Sequence, residues 1–231
     1  MSRAADHDYL LPPLMELRIL LADDHEMMRQ GVRSVIEKQP GWTVCGEART
    51  GREAVTMVEQ LKPDIVVMDM TMPELNGLEA TRQIKRLYPE TEVLMFTGHE
   101  TEELIHAVFD AGARSYILKT EARELLVTAL QSLAVHKPFF TSHVGEVIFA
   151  KYLHAKSPTA EPNIPGERLT QREREIVQLL AEGKSNKEVA TVLGISVKTA
   201  ETHRASIMRK LDLPTFSDLV RFAIRNHIIE A

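Results

Sequence analysis

Five times between residues 17 and 136, a short apolar run gives way to a stretch with helical period. The runs are LRILLA from Leu17, WTVCGEA from Trp42, DIVVMD from Asp64, EVLMFT from Glu92 and SYILK from Ser115. Each has strand length, and most lack the polar alternation of a strand with one wet face. That pattern predicts strands covered on both sides. The stretches between them, 26–38, 52–61, 78–88, 101–111 and 121–136, space apolar residues three and four apart. In the first, Met27, Met28, Val32, Val35 and Ile36 share one side. Five such units predict a parallel sheet with helices on both faces, an α/β domain.

The polar residues fall at one edge of that sheet. Asp23 and Asp24 follow the first strand, Asp69 the third, Thr97 the fourth and Lys119 the fifth. The carboxyl ends of parallel strands are where open α/β sheets bind ligands. A strand order of 2-1-3-4-5 would make the first and third strands neighbours, so that the three aspartates converge with Thr97 and Lys119 beside them. Three carboxylates that close repel one another and call for a cation. A hard divalent ion with oxygen ligands, most simply Mg2+, meets that need. Carboxylates, a metal, a lysine and a hydroxyl are what a carboxylate needs to attack and hold a phosphoryl group. Taken singly, each residue has a plainer reading. Asp24 could cap the following helix, Thr97 could sit in a turn, Tyr116 in the core and Lys119 in solvent. Their joint placement is what favours the site. His25, His106 and His136 lack metal-ligand spacing and read as ordinary, and Cys45 reads as a small buried hydrophobe.

The pieces LADDH at 21–25, DxxMPxxxG at 69–77, Thr97 and AGARSYILK at 111–119 resemble the receiver domain of bacterial two-component response regulators. The resemblance implies a flavodoxin-like fold and phosphoryl transfer from a sensor histidine kinase to Asp69. It also implies Mg2+ held by Asp23, Asp24, Asp69 and the backbone carbonyl of Thr71. Tyr116 matches the aromatic that turns inward when the threonine, here Thr97, moves toward the phosphoryl group. Lys119 is followed by Thr120 where many receivers have proline.

After residue 136 the pattern changes. Thr141 or Ser142 could cap a short helix through about Leu153, and HAKSPTAEPNIPGER then carries three prolines without periodicity, as a linker does. Residues 169–229 hold no strand pattern. Thr170 with Glu173 forms a capping box ahead of Ile176, Val177, Leu179 and Leu180, and Gly183 stops that helix. A short helix closed by Gly194 and a longer one from Ser196 to about Leu211 make a helix-turn-helix. Val197, Ala200, Ile207, Met208 and Leu211 are its expected anchors. A last helix, 215–228, turns Leu219, Phe222, Ala223 and Ile224 inward.

From LTQREREIV to IMRKL this region resembles the LuxR-type DNA-binding domain of NarL/FixJ regulators, with Ala200 where valine is commoner. The resemblance makes 197–211 the recognition helix. It implies base-facing Glu201, Thr202 and Ala205, with Lys198, Thr199, Arg204 and Arg209 on phosphates. His203 is open between core and backbone. The family dimerises on inverted half-sites, with the last helix as the usual contact.

Charge is split the same way. From Gly166 onward there are 11 Lys and Arg against 9 Asp and Glu, leaving 17 against 24 before it. One cysteine excludes an intrachain disulfide and fits a reducing compartment. No apolar run approaches the roughly 20 residues of a membrane span, and the first residues do not read as a signal peptide. The expectation is a cytoplasmic protein with an extension over 1–16, a receiver over 17–136, a helix and linker over 137–168 and a DNA-binding domain over 169–231. It acts as a regulator rather than an enzyme, with a sensor kinase, promoter DNA, a second copy of itself and RNA polymerase as partners. The rival is a phosphohydrolase with an aspartyl-phosphate intermediate. Such enzymes usually carry a second aspartate two places after the nucleophile, and here that place is Thr71.

Overall fold

The computed structural model describes residues 16–98, 100–154 and 169–229, with backbone alone at 151–154. The expected N-terminal extension as far as Met15, the proline-rich linker over 155–168 and His99 lie outside those residues.

The strands are β1 (Leu17–Ala22), β2 (Trp42–Ala48), β3 (Ile65–Asp69), β4 (Glu92–Thr97) and β5 (Ser115–Leu118). They form one parallel sheet in the order β2-β1-β3-β4-β5, as expected. Helices α1 (Glu26–Ile36), α2 (Gly51–Leu61), α3 (Gly77–Leu87), α4 (Glu102–Asp110) and α5 (Ala122–Ala134) alternate with them. Because successive strand side chains point to opposite faces, the sheet carries two apolar cores. One sets Leu20, Val66, Met68, Val93 and Met95 against Ala54, Val58, Ala80, Ile84, Ile105 and Val108 of α2, α3 and α4. The other sets Ile19, Leu21, Val67, Leu94 and Phe96 against Val32, Ile36, Leu126, Ala129 and Leu130 of α1 and α5. Met27 belongs to neither. It is 80% exposed, a departure from the expected inner face of α1.

The connection after α5 stays on the receiver. Phe139 bridges to Ser115 at the sheet edge. Thr141 then caps α6 (Ser142–His154), which puts Val144 and Val147 into the first core beside α4.

Four helices form the second domain: α7 (Gln171–Ala181), α8 (Asn186–Leu193), α9 (Val197–Lys210) and α10 (Phe216–Arg225). Capping boxes begin α7, α8 and α10. Gly194 in the left-handed region ends α8 and sets the turn into α9. Leu169, Ile176, Leu180, Val189, Ala200, Ile207, Leu219 and Ala223 share one core. Val197, an expected anchor, is 42% exposed, because the first residue after the Ser196 cap projects beyond that core. Lys210 reaches back to Glu173 at 2.6 Å, tying the end of α9 to the first turn of α7.

Candidate functional site: an acidic pocket and a helix-turn-helix

The pocket is built by strand ends. Met68 lies beside Ala22 in the register of β1 and β3, so Asp23 and Asp69 emerge side by side. Thr97 lies one step beyond Phe96, the partner of Asp69, and pairs with Leu118, so Lys119 follows at the same edge. Lys119 opens a short 3-10 turn through Glu121 rather than extending β5, and that turn aims its ammonium back across the sheet. Its Nζ lies 2.9 Å from Asp69 Oδ1 and 2.8 Å from Asp23 Oδ2. Asp23 and Asp69 are each 4% exposed, while Asp24 is at the rim.

The electrostatics follow from that burial. Desolvation first, and the Asp23 carboxylate second, push the Asp69 carboxyl up to about 7 against the opposing pull of Lys119. Burial works to lower Lys119, but the attraction of Asp69 and Asp23 outweighs it and leaves the ammonium above its ordinary value. The aspartates outnumber the lysine three to one. Carboxylate oxygens of Asp23, Asp24 and Asp69 and a ring nitrogen of His25 lie within 4.8 Å of one another. A hard divalent cation fits this set, since it supplies the missing positive charge to oxygen donors.

His25 was not legible as part of this group. Its Nδ1 stands 2.9 Å from Asp24 and 3.3 Å from Asp23, and its backbone N–H donates to Asp23 Oδ1 at 2.8 Å. It is also the N-cap of α1, without a side-chain bond, so Asp24 does not cap the helix. The adjacency Asp-Asp-His was the available signal. Thr97 and Tyr116 are both buried, and Tyr116 belongs to the same apolar core as Leu104, Ile105 and Val108 of α4 and Val144 and Val147 of α6. Burial raises its phenol well above the ordinary range.

The loop from Asp69 to α3 is held by close contacts. A Cβ on Gly77 would stand 1.9 Å from the Asp69 carbonyl oxygen, and one on Gly51 would stand 2.1 Å from that of Leu75. Only glycine lets α2 and α3 start so near the loop. Met70, Met72 and Leu75 anchor it in the core, and Glu74 takes a left-handed φ of 67°.

On α9, Lys198, Thr199, Glu201, Thr202, Ala205 and Arg209 are exposed, and Ala200 and Ile207 are buried beneath them. Thr199 shares a hydrogen bond with the Ser196 cap, and Thr202 donates to the Lys198 carbonyl. Arg204 stacks over the Phe216 ring at 5.3 Å, which fixes its stem and leaves it half-buried, as His203 is. Glu201, Thr202 and Ala205 therefore share an open face. No helix among the described residues is long and apolar enough to cross a membrane.

Comparison with known proteins gives each half a family. Residues 19–131 match the response regulator receiver domain, and residues 167–223 match the bacterial regulatory proteins of the luxR family. The transcriptional regulatory protein LiaR of Bacillus subtilis is 37% identical over 213 residues, 92% of this chain and 99% of that protein. The response regulator protein VraR of Staphylococcus aureus is 35% identical over 94% of this chain and all of that one. A structure of the Salmonella typhimurium response regulator RcsB, 25% identical, superposes with a TM-score of 0.60 over 90% of this chain and 96% of that one. Another RcsB structure is described as two dimers bound to two parallel DNAs. The acidic pocket at the strand ends and the open α9 face, with relatives matching across both domains, place this chain among the two-component response regulators that join a receiver to a LuxR-type DNA-binding domain.

Proposed function

We propose that Asp69 accepts a phosphoryl group from a sensor histidine kinase in the cytoplasm, and that this controls promoter binding through α9. One Asp69 oxygen attacks phosphorus as the bond to the kinase histidine nitrogen breaks, leaving an acyl phosphate on Asp69 and a neutral histidine on the kinase. Mg2+ would be held by Asp23, Asp24, Asp69 and the Thr71 carbonyl. When bound, it supplies positive charge that favours ionised Asp69 and stabilises the phosphoryl oxygens. Lys119, poised on Asp69 Oδ1, passes to a phosphoryl oxygen. Thr97 then donates to the phosphoryl group, and Tyr116 and α4 repack around it. The added charge of about -1.5 to -2 is large enough to bias a domain with two packings of similar energy.

In the second domain, Glu201, Thr202 and Ala205 read base edges, while Lys198, Thr199, Arg204 and Arg209 contact phosphates, with His203 at the margin. Two copies meet through α10 on inverted half-sites, and RNA polymerase is the further partner of a bound dimer. The RcsB structure described as dimers bound to DNA supports the dimeric, DNA-bound part of this reading. The observation that carries the phosphorylation reading is the 2.9 Å contact of Lys119 with a buried Asp69 that also neighbours Asp23. The test is phosphoryl uptake from a small-molecule donor. Asp69→Asn should take up none, and uptake at the wild-type level would refute the assignment.

A further inference from the structure

The loop that follows Asp69 is held from the other domain. Gln178, in the middle of α7, is 1% exposed, although it points away from the core of its own domain. Its side-chain amide meets the loop with both ends. Nε2 donates to the Met72 carbonyl at 2.8 Å, and Oε1 accepts from the Asn76 backbone N–H at 2.7 Å. Glu182, one turn on, accepts from the Glu74 N–H at 2.9 Å and from Gln178 Nε2 at 2.8 Å. Three backbone groups between Met72 and Asn76 are thus satisfied by two side chains that lie more than 100 residues further along the chain.

Charged pairs frame this clasp. Arg174 Nε lies 2.5 Å from buried Glu79 on α3, while Glu175 accepts from Arg52 and from Gln83, each at 3.1 Å. The contact does not cover the DNA-reading surface, because Glu201, Thr202 and Ala205 stay exposed. What it grips is the stretch beginning one residue after Thr71, whose carbonyl would face the metal.

We propose that Gln178 is a positioning residue for the phosphoacceptor loop. Its amide holds the Met72–Asn76 backbone in the arrangement that suits unphosphorylated Asp69, so that docking of α7 opposes phosphoryl uptake. This rests on Asp69 being the acceptor. Buried backbone groups need partners, so the loop cannot rearrange around a new dianion without breaking the clasp or exchanging it for water. By linkage, whatever docking does to phosphorylation, phosphorylation does to docking by the same factor in equilibrium terms.

The experiment uses the full chain with Mg2+ and acetyl phosphate as donor, following initial rates of uptake and small-angle scattering. Gln178→Met keeps the side-chain volume and removes both hydrogen-bonding ends. Gln83→Glu sets a carboxylate against Glu175 and loosens the contact without touching the loop. Both variants should take up phosphoryl groups roughly fivefold faster or more, which corresponds to a barrier lower by about 1 kcal/mol. The donor concentration for half-maximal rate should be unchanged, and the domains should separate in scattering. Unchanged rates with separated domains would make the clasp a structural tie only and overturn the proposal. Slower uptake, or no change in either measurement, would overturn it too. If the wild type takes up nothing, the assignment of Asp69 falls first and this inference with it.

Discussion

Replacing Lys119 with methionine separates the charge of this residue from its bulk. The ammonium is the cation closest to Asp69 and Asp23, at 2.9 and 2.8 Å, and all three side chains are largely buried. Removing one member of a buried ion pair typically costs about 3–5 kcal/mol. The cost should depend on pH, because Asp69 can escape it by binding a proton. Its folded carboxyl already sits at about 7, above the usual carboxylate range, mainly through burial. A carboxyl raised on folding makes the native state bind more protons than the unfolded chain. Stability therefore falls as pH rises from about 4, the unfolded value, toward the folded one. Without Lys119 the folded value climbs further, and the fall continues above pH 7 at about 1.4 kcal/mol per additional unit. Urea denaturation should show a smaller deficit for Lys119→Met near pH 5, where Asp69 holds a proton and only Asp23 has lost its partner, and a deficit larger by about 3 kcal/mol by pH 8–9. Added Mg2+ should close much of that difference at high pH, since a divalent ion takes over the neutralising role. An equal deficit at pH 5 and pH 9 would refute the electrostatic account. It would assign the role of Lys119 to packing of its stem near Phe96, whose ring centroid lies 6.0 Å from Nζ.

Other changes probe the supports of the two sites. Glu47 is held below the usual carboxylate range first by its hydrogen bond from Arg29 and then by Arg33. Its contribution is present above the unfolded value and lost as pH falls through the folded one, so Glu47→Gln should cost about 2 kcal/mol at pH 7 and less in acid, read by urea denaturation. Gly77→Ala drives a methyl group into the Asp69 carbonyl. It should destabilise by about 1–3 kcal/mol and slow phosphoryl uptake, because the loop must shift to admit the Cβ. Arg209→Ala should weaken binding to specific and unrelated DNA alike and lower the salt slope by about one, measured by fluorescence anisotropy.

The two domains differ from their sequence reading in instructive ways. The strands were legible because apolar runs mark them, whereas the order 2-1-3-4-5 entered as a condition in keeping with the receiver resemblance; once that order holds, topology brings the strand ends carrying Asp23, Asp69, Thr97 and Lys119 to one edge. The caps at Thr170 and Ser196 were legible because they act within four residues. Gln178, Glu79 and Glu175 were not. Each sits in a helix where a polar residue ordinarily faces water, and each is buried by another domain. Packing between domains leaves no period in the sequence, since the contacting residues lie about 90 to 150 positions apart. Met27 shows the converse. Helical spacing allotted it to the inner face, but α1 covers the sheet with Val32 and Ile36, and Met27 lies past the edge of that contact. His25 has no metal-ligand spacing in the sequence, and its place beside Asp23 and Asp24 depends on the turn between β1 and α1.

Control of α9 by the receiver requires that phosphorylation of Asp69 change DNA binding. The most direct measurement is the affinity of the full-length protein for a DNA sequence selected from a random pool by the phosphorylated wild type, at fixed salt, before and after treatment with acetyl phosphate and Mg2+. Phosphorylated wild type should bind more tightly and as a dimer, while Asp69→Asn given the same treatment should bind as the untreated protein does. An Asp69→Asn variant that responds like wild type, or a fully phosphorylated wild type whose affinity and dimerisation do not change, would contradict it.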